Sequence, residues 1–515
     1  MPPIPVPKFE PGRARYNPAV TDDVLNVLPA ADGYKPLPGP KAFVPAFEVL
    51  TDAGDDGVIG TVDDYLLVTG PGGAALSGEV HLPGTLGGIY VKTKDGTQVI
   101  IVGTQTGLYR LASDNTWEDV SGTSGPYNVG AEKRWSFALF GSTILAQNFS
   151  DPEQKFDIVT DSVFSDNPTA PRCAYLSVFG PFVLRACLVD DETAVQWSAP
   201  EDFTSNVAGV NNSDIQPIPE GGIVQGIVPV STGFVVLMRE SIHLMSFAPS
   251  SGLVFTRSIV TGYRGCIAPY SIRTLAQDDF VFYAQDGFFR GLGMSPIGAE
   301  RIDPWFQETV DYSNRLTMIT GTDFRRKTVW FRYMASTDTP VLLGYQWQLD
   351  QWTMSDADLA DMFQAETYGV TIDQMDDFFS TIDDINVPYD SSFWDGGAPD
   401  LAGMTSDGFL AFMNGESLPA RIATNDLTFN GMKRSFVNGA RATTDAVNFT
   451  AQLSSANYRG ATFTAKAPVS PTSRSRFLSL RGDGQVHRVL FEIPEGEDWS
   501  AFNEFEIDAV PSGGS

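Results

Sequence analysis

Six short apolar windows recur along the middle of this chain at a pitch that few folds tolerate. They are Thr-Gly-Leu-Tyr-Arg-Leu at 106–111, Glu-Gln-Lys-Phe-Asp at 153–157, Thr-Ala-Val-Gln-Trp at 193–197, Glu-Ser-Ile-His-Leu-Met-Ser-Phe at 240–247, Asp-Gly-Phe-Phe-Arg-Gly-Leu-Gly at 286–293 and Thr-Pro-Val-Leu-Leu-Gly-Tyr at 339–345. Their starts lie 40 to 53 residues apart. A repeat of roughly 40–50 residues that holds several short strands is what a β-propeller blade requires. The windows alternate or run apolar at strand length and are rich in Phe, Tyr, Trp, Val and Thr, so no helical repeat fits. The fold class expected is all-β.

One blade can be spelled out. Gly88 to Thr97 ends on a hairpin turn at Asp95-Gly96, and 98–103, 107–111 and 116–120 supply three more strands. Similar sets continue to the Gln-Trp-Gln-Leu-Asp-Gln-Trp segment at 346–352. Six or seven blades therefore fit into a propeller domain at 81–390. Residues 1–80 form a Pro-rich N-terminal arm and entry segment. Its proline density forbids a regular sheet interior, yet Phe9, Tyr16, Val24, Leu25, Val27, Leu28, Tyr34 and Leu37 are apolar handles suited to docking. The acidic stretch 356–390 reads as a linker or peripheral insertion. Residues 391–515 form a C-terminal β-domain of sandwich type, with strands expected at 408–413, 435–441, 447–453, 476–480, 487–493 and 502–508.

Charge narrows the function. Lys plus Arg number 34 against 63 Asp plus Glu, a formal net charge of −29. Such a surface keeps a protein dispersed and repels phosphate, which argues against sequence-reading or tight DNA binding. Acidic walls do suit a conduit past which DNA slides without sticking. Three cysteines, Cys173, Cys187 and Cys266, are too few for a disulfide framework; a Cys173–Cys187 hairpin bridge competes with the commoner buried thiols. The start of the chain lacks the apolar core of a signal peptide and no run reaches membrane-span length, so a soluble protein made in a reducing cytoplasm is expected.

Catalytic constellations are sparse. His81, His243 and His487 stand alone and are expected in the core or on a sheet surface. No H-E-x-x-H, G-x-x-x-x-G-K-[ST] or G-x-S-x-G occurs. Asp52, Asp56, Gly57 and Asp63 partly mimic a calcium loop, but Gly54 replaces one ligand and an ordinary Asp-Gly turn explains the pattern better. Arg481-Gly-Asp483 is expected in a hairpin turn. The Asn-x-Ser/Thr triplets at Asn148, Asn211 and Asn448 matter only in a secreted eukaryotic protein. A glycosidase would need two carboxylates about 5–10 Å apart across a central pocket, and one sequence cannot pair 63 candidates. Ser113 to Trp117 only loosely matches the Asp-box turn of sialidase-like propellers. The expectation is no enzyme, no catalytic or metal-binding residues and no cofactor.

The order of parts resembles the tail nozzle and tail-hub proteins of short-tailed bacteriophages, also called packaged-DNA stabilisation or tail tubular proteins. Three places carry the resemblance: Asn26-Val-Leu-Pro29 with Gly33-Tyr34 and 36–39; the blade rhythm, including 99–111 and the Trp-Ser segment at 195–203; and the close, His487 to Pro494 with Trp499 and 505–508. The resemblance implies a structural virion protein, assembled in the host bacterial cytoplasm and located in the tail. It implies a hexamer below a portal and adaptor ring, with the N-terminal arm on the neighbouring ring and tail fibres or spikes nearby. Genomic DNA would be retained and then conducted, without sequence-specific binding, towards the host cell surface. Six copies would carry a formal charge on the order of −170. A propeller-type receptor- or glycan-binding tail protein is the alternative, with Trp305, Trp330, Trp347, Trp352 and Trp394 able to stack on sugars, and a polysaccharide-degrading enzyme follows behind.

Overall fold

The computed structural model describes residues 3–13, 17–42, 48–52, 65–69, 79–93, 98–112, 115–249, 252–337, 339–366, 399–429, 431 and 433–512. The chain divides into two compact units, one of Ala42–Gln285 with Asp358–Phe412 and one of Met1–Lys41, Asp286–Ala357 and Met413–Ser515.

In the first unit, four antiparallel four-stranded sheets follow one another as the propeller blades. The first holds Gly88–Lys92, Gln98–Gly103, Leu108–Leu111 and Trp117–Asp119. The second begins at Ser136–Phe140, the third at Cys173–Phe179 and the fourth at Val224–Val230. Two-residue turns join the first and second strands of the second and third blades, closing the pairs Phe140↔Thr143 and Phe179↔Phe182. Gly141 (φ +64°) and Gly180 (φ +54°) supply the left-handed backbone that these tight turns need.

Second strands are apolar on both faces because each blade is sandwiched between neighbours. Phe182–Leu188 and Gly233–Met238 are buried at every position. Trp197, Phe234 and Phe255 meet between the third and fourth blades, with ring centroids 5.0 Å apart for both pairs that include Phe255. Full burial of each such side chain contributes about 1.5–3 kcal/mol. The last sheet of the unit, Asp361–Glu366, Pro399–Met404 and Leu410–Phe412, packs on the first blade: Ile100, Val102 and Trp117 share a core with Phe363, Met404 and Phe412. That contact between the chain-first and chain-last blades is the closure of a β-propeller.

In the second unit, Ile319–Asp323, Thr328–Met334, Pro340–Gln346 and Gln351–Ser355 make a blade-type sheet. Beside it lies a β-sandwich. One layer is built on Ser435–Thr444 and Phe502–Pro511, the other on Ala420–Ala423, Val486–Ile493 and Thr450–Ala456. Phe491 of one layer faces Phe502 and Phe505 of the other at 5.0 and 5.4 Å, the inner-face packing expected of two antiparallel sheets.

All six sequence windows occupy the third strand of their four-strand set in chain order: Leu108–Leu111, Gln154–Asp157, Ala194–Trp197, Ile242–Phe247, Gly287–Arg290 and Pro340–Gln346. Three points bear on the expected domains. First, strands of the N-terminal arm pair within their own chain: Ile4 pairs with Phe505, Phe9 with Trp352, Val24 with Ile422 and Tyr34 with Phe502. Its strands run only two to four residues, and Pro29 sits in the edge strand Val27–Ala30, where a missing N–H is tolerated. Second, residues 399–412 fall on the propeller side of the expected boundary at 391, since Pro399–Met404 pairs with Asp361–Glu366. Third, 476–480 forms no strand; it meets Ser435–Thr444 through the bridge at Leu478 and through the Phe477 ring beneath Arg441, and Arg476 is left-handed (φ +52°). The acidic stretch opens in the strand Asp361–Glu366. Its remainder, the Asp95-Gly96 turn, Asp114, Trp394 and the body of the 52–63 loop lie outside the described residues.

Candidate functional site

First strands of neighbouring blades approach one another, so they line the propeller axis. Charged and aromatic side chains at their starts converge there. Arg134 stands two residues before Ser136–Phe140, Arg273 opens Arg273–Ala276 and Asp361 opens Asp361–Glu366. Arg134 Nη2 donates to Asp361 Oδ1 at 2.5 Å, and its guanidinium lies 5.7 Å from the ring centre of Tyr270. Tyr270 in turn meets Tyr175 edge-on at 6.4 Å. Arg273 Nη2 donates to the Met362 carbonyl at 3.3 Å.

The electrostatics follow from burial. Asp361 Oδ2 is buried with no hydrogen-bond partner among the described residues. Desolvation pushes the Tyr270 hydroxyl up to about 12 against the lowering pull of Arg134, and drives Tyr175 well above the ordinary phenol value. Desolvation also pulls Arg273 below its ordinary value, with Asp361 opposing. Two guanidinium groups thus face the Asp361 carboxylate, and Glu192 lies close enough to Tyr175 to add to its upward push. Guanidinium donors and phenol rings are the chemistry that meets an anionic or polyhydroxyl group, and among the described residues the cluster presents no nucleophile with an adjacent base.

A second polar cluster is sealed. Arg185 Nε and Nη2 donate to Glu153 Oε2 and Oε1 at 2.6 and 2.8 Å, and neither side chain is exposed. Asn206 Oδ1 accepts from Arg185 Nη1 at 2.7 Å, and Asn167 Nδ2 donates to Glu153 Oε1 at 2.8 Å. The Trp-Ser segment supports it: Gln196 Nε2 donates to the Asn206 carbonyl at 2.5 Å, and Val183 N–H donates to Ser198 Oγ at 3.0 Å. The pair fastens the second blade to the third. Sequence reasoning passed over it, although an arginine in the apolar run Phe182–Leu188 is the signal that would have found it.

The residues singled out from the sequence are scattered. His243 is buried with Nε2 2.8 Å from Ser241 Oγ, while His487 is buried between Ser435 Oγ (3.0 Å) and Ser455 Oγ (2.9 Å). Burial holds both below the usual imidazole range. His81 is exposed beside Phe409. All three cysteines are free and buried. Trp330 and Trp352 are core residues, whereas Trp305 and Trp347 are half-buried against Phe9 and Phe324. Gly482–Gly484 is a strand paired with Ser435–Val437 rather than a hairpin turn, and Asp483 receives Arg434 at 2.5 Å. Among the described residues no group of three His, Cys, Asp or Glu could hold a metal ion, and no helix is long and apolar enough to cross a membrane.

No family model matches the chain and no curated protein matches it in sequence. Solved structures similar to it include the Pan2 WD40 domain of Neurospora crassa, at 9% identity over 47% of this chain and 70% of that one, TM-score 0.31. YCF48 bound to D1 peptide matches at 11% identity over 65% and 93%, TM-score 0.32. A chain of the Mitotic Checkpoint Complex matches at 10% over 61% and 85%, TM-score 0.33. Likenesses this distant say nothing about ligand or partner; the propeller assignment stands on the chain's own blade sheets and their closure.

Proposed function

We propose that the protein is a structural virion component, the nozzle subunit of a short phage tail, which forms a ring below the portal and adaptor and retains and then conducts genomic DNA. The observation that supports it most directly is the weave of the chain's flanks. Strands from residues 4–36 complete both layers of the C-terminal sandwich, so the segments before and after the blades form one body. That arrangement suits a wall element loaded from both ends. It also accords with the part order on which the resemblance to nozzle proteins rests. The formal charge of −29 suits a wall past which DNA slides.

The axial cluster favours a second reading. Arg134, Tyr270 and Arg273 offer donors and aromatic faces of the kind a propeller-type receptor- or glycan-binding tail protein uses. Negative-stain imaging of the purified protein separates the two. A six-fold ring with a central hole is the outcome expected of a nozzle subunit. A monomer that binds glycans on an array and is missing from tails would overturn it.

A further inference from the structure

The charge of this chain is unevenly distributed. Between Asp445 and Asp483 it carries Arg459, Lys466, Arg474, Arg476 and Arg481 and no carboxylate, in a protein with 63 acidic residues. The segment leaves one sandwich layer at Thr450–Ala456 and enters the other at Gly482–Gly484, crossing the edge between them.

The backbone along this crossing is pinned. Lys466 N–H donates to the Leu453 carbonyl at 2.9 Å, next to the edge strand Thr464–Ala465. Val469 and Leu478 bridge to Ala451 and Ala440, one in each layer. Arg474 sits at the tip of a turn closed by Arg476 N–H to the Thr472 carbonyl (2.8 Å) and Thr472 N–H to the Phe477 carbonyl (3.1 Å). Arg476 is used internally, donating to the Ala446 carbonyl. Lys466, Arg474 and Arg481 are exposed, and no carboxylate among the described residues pairs with them. Three solvated cations thus lie along one pinned crossing.

We propose that this trio of Lys466, Arg474 and Arg481 contacts the phosphate backbone of DNA. The large apolar side chains exposed on this crossing, Val447 and Tyr458, lie before Arg459, and none is exposed between Arg459 and Arg481, where a protein partner would need an anchor. Exposed Ser473 and Ser479 instead add hydroxyl donors beside the cations, the set that grips phosphate oxygens without reading bases. The contact deepens the conduit reading above: on a wall that otherwise repels DNA, three cations act as a weak, salt-sensitive brake.

The test is fluorescence anisotropy of a labelled duplex of about 30 base pairs with the full chain, titrated from about 50 to 200 mM salt. The wild type should bind weakly, with affinity falling steeply as salt rises. The triple variant K466Q/R474Q/R481Q should bind about tenfold or more weakly at the lowest salt, with the salt slope reduced by about one unit per cation removed. R474K/R481K should bind like the wild type, which separates lost charge from lost folding. Absence of binding by the wild type at low salt, or undiminished binding by the triple variant, overturns the proposal. So does a triple variant whose only change is in self-association, which would assign the three cations to an acidic protein neighbour. Ring formation is read by imaging, so failure of the nozzle reading and failure of this contact are distinguishable.

Discussion

Arg185 and Glu153 face each other across the joint between the second and third blades as a two-pronged ion pair that no solvent reaches. Coulomb attraction in a low-dielectric interior opposes a large desolvation cost, so the pair holds only while both partners are present. Arg185→Leu should therefore destabilise the protein by about 3–5 kcal/mol, because it strands a buried carboxylate. Adding Glu153→Leu to it should recover much of that loss. Denaturant unfolding of the two single variants and the double variant measures the coupling.

Asp303 makes stability depend on pH. Its carboxylate is buried beside Gly287 and Gly298, where a Cβ on either glycine would overlap it, and it accepts a hydrogen bond from Phe288 N–H at 3.2 Å. Desolvation pushes it up to about 7, against an ordinary value of 3.8. The folded state therefore binds the proton more tightly than the unfolded chain. The associated stability is complete below about pH 4 and disappears as pH rises through about 7, a swing on the order of 4 kcal/mol. Chemical unfolding at intervals from pH 4 to 8 should show this fall, and Asp303→Asn should remove it.

The three thiols should resist modification in the native protein. Burial pushes Cys187 up to about 11 and Cys266 up to about 12, and raises Cys173 further. Thiolate is the reactive form. A chromogenic disulfide reagent at pH 8 should titrate none of the three before denaturation and all three after it.

Gly103 should not tolerate a methyl group. A Cβ there would collide with the indole of Trp135, which is itself fixed by donating from Nε1 to the Thr104 carbonyl at 2.7 Å. Gly103→Ala should cost about 1–3 kcal/mol as overpacking at the joint of the first two blades. A lowered melting temperature would report it, while an unchanged one would mean that the indole can move aside.

What the sequence discloses here is local. Third strands stood out because each is a short apolar run bounded by turn residues, as Gly107 to Leu111 and Gly287 to Arg290 show. First-blade registers such as Lys92↔Gln98 follow from strands joined by a short connection. Non-local pairing stayed hidden. Nothing in residues 399–404 announces a partner at 361–366, and nothing in Ile4 announces Phe505. The axial cluster was obscured for the same reason, since Arg134, Arg273 and Asp361 are far apart in the chain and each alone looks like an ordinary surface charge.

The weave of Ile4 with Phe505 and of Tyr34 with Phe502 has a consequence in time. Synthesis at about 5–20 residues per second separates the emergence of these partners by roughly 25 to 100 seconds. The N-terminal strands must wait that long for the edges they complete, while blades built from neighbouring segments can close as they emerge. The sandwich is the part of this molecule that is finished last.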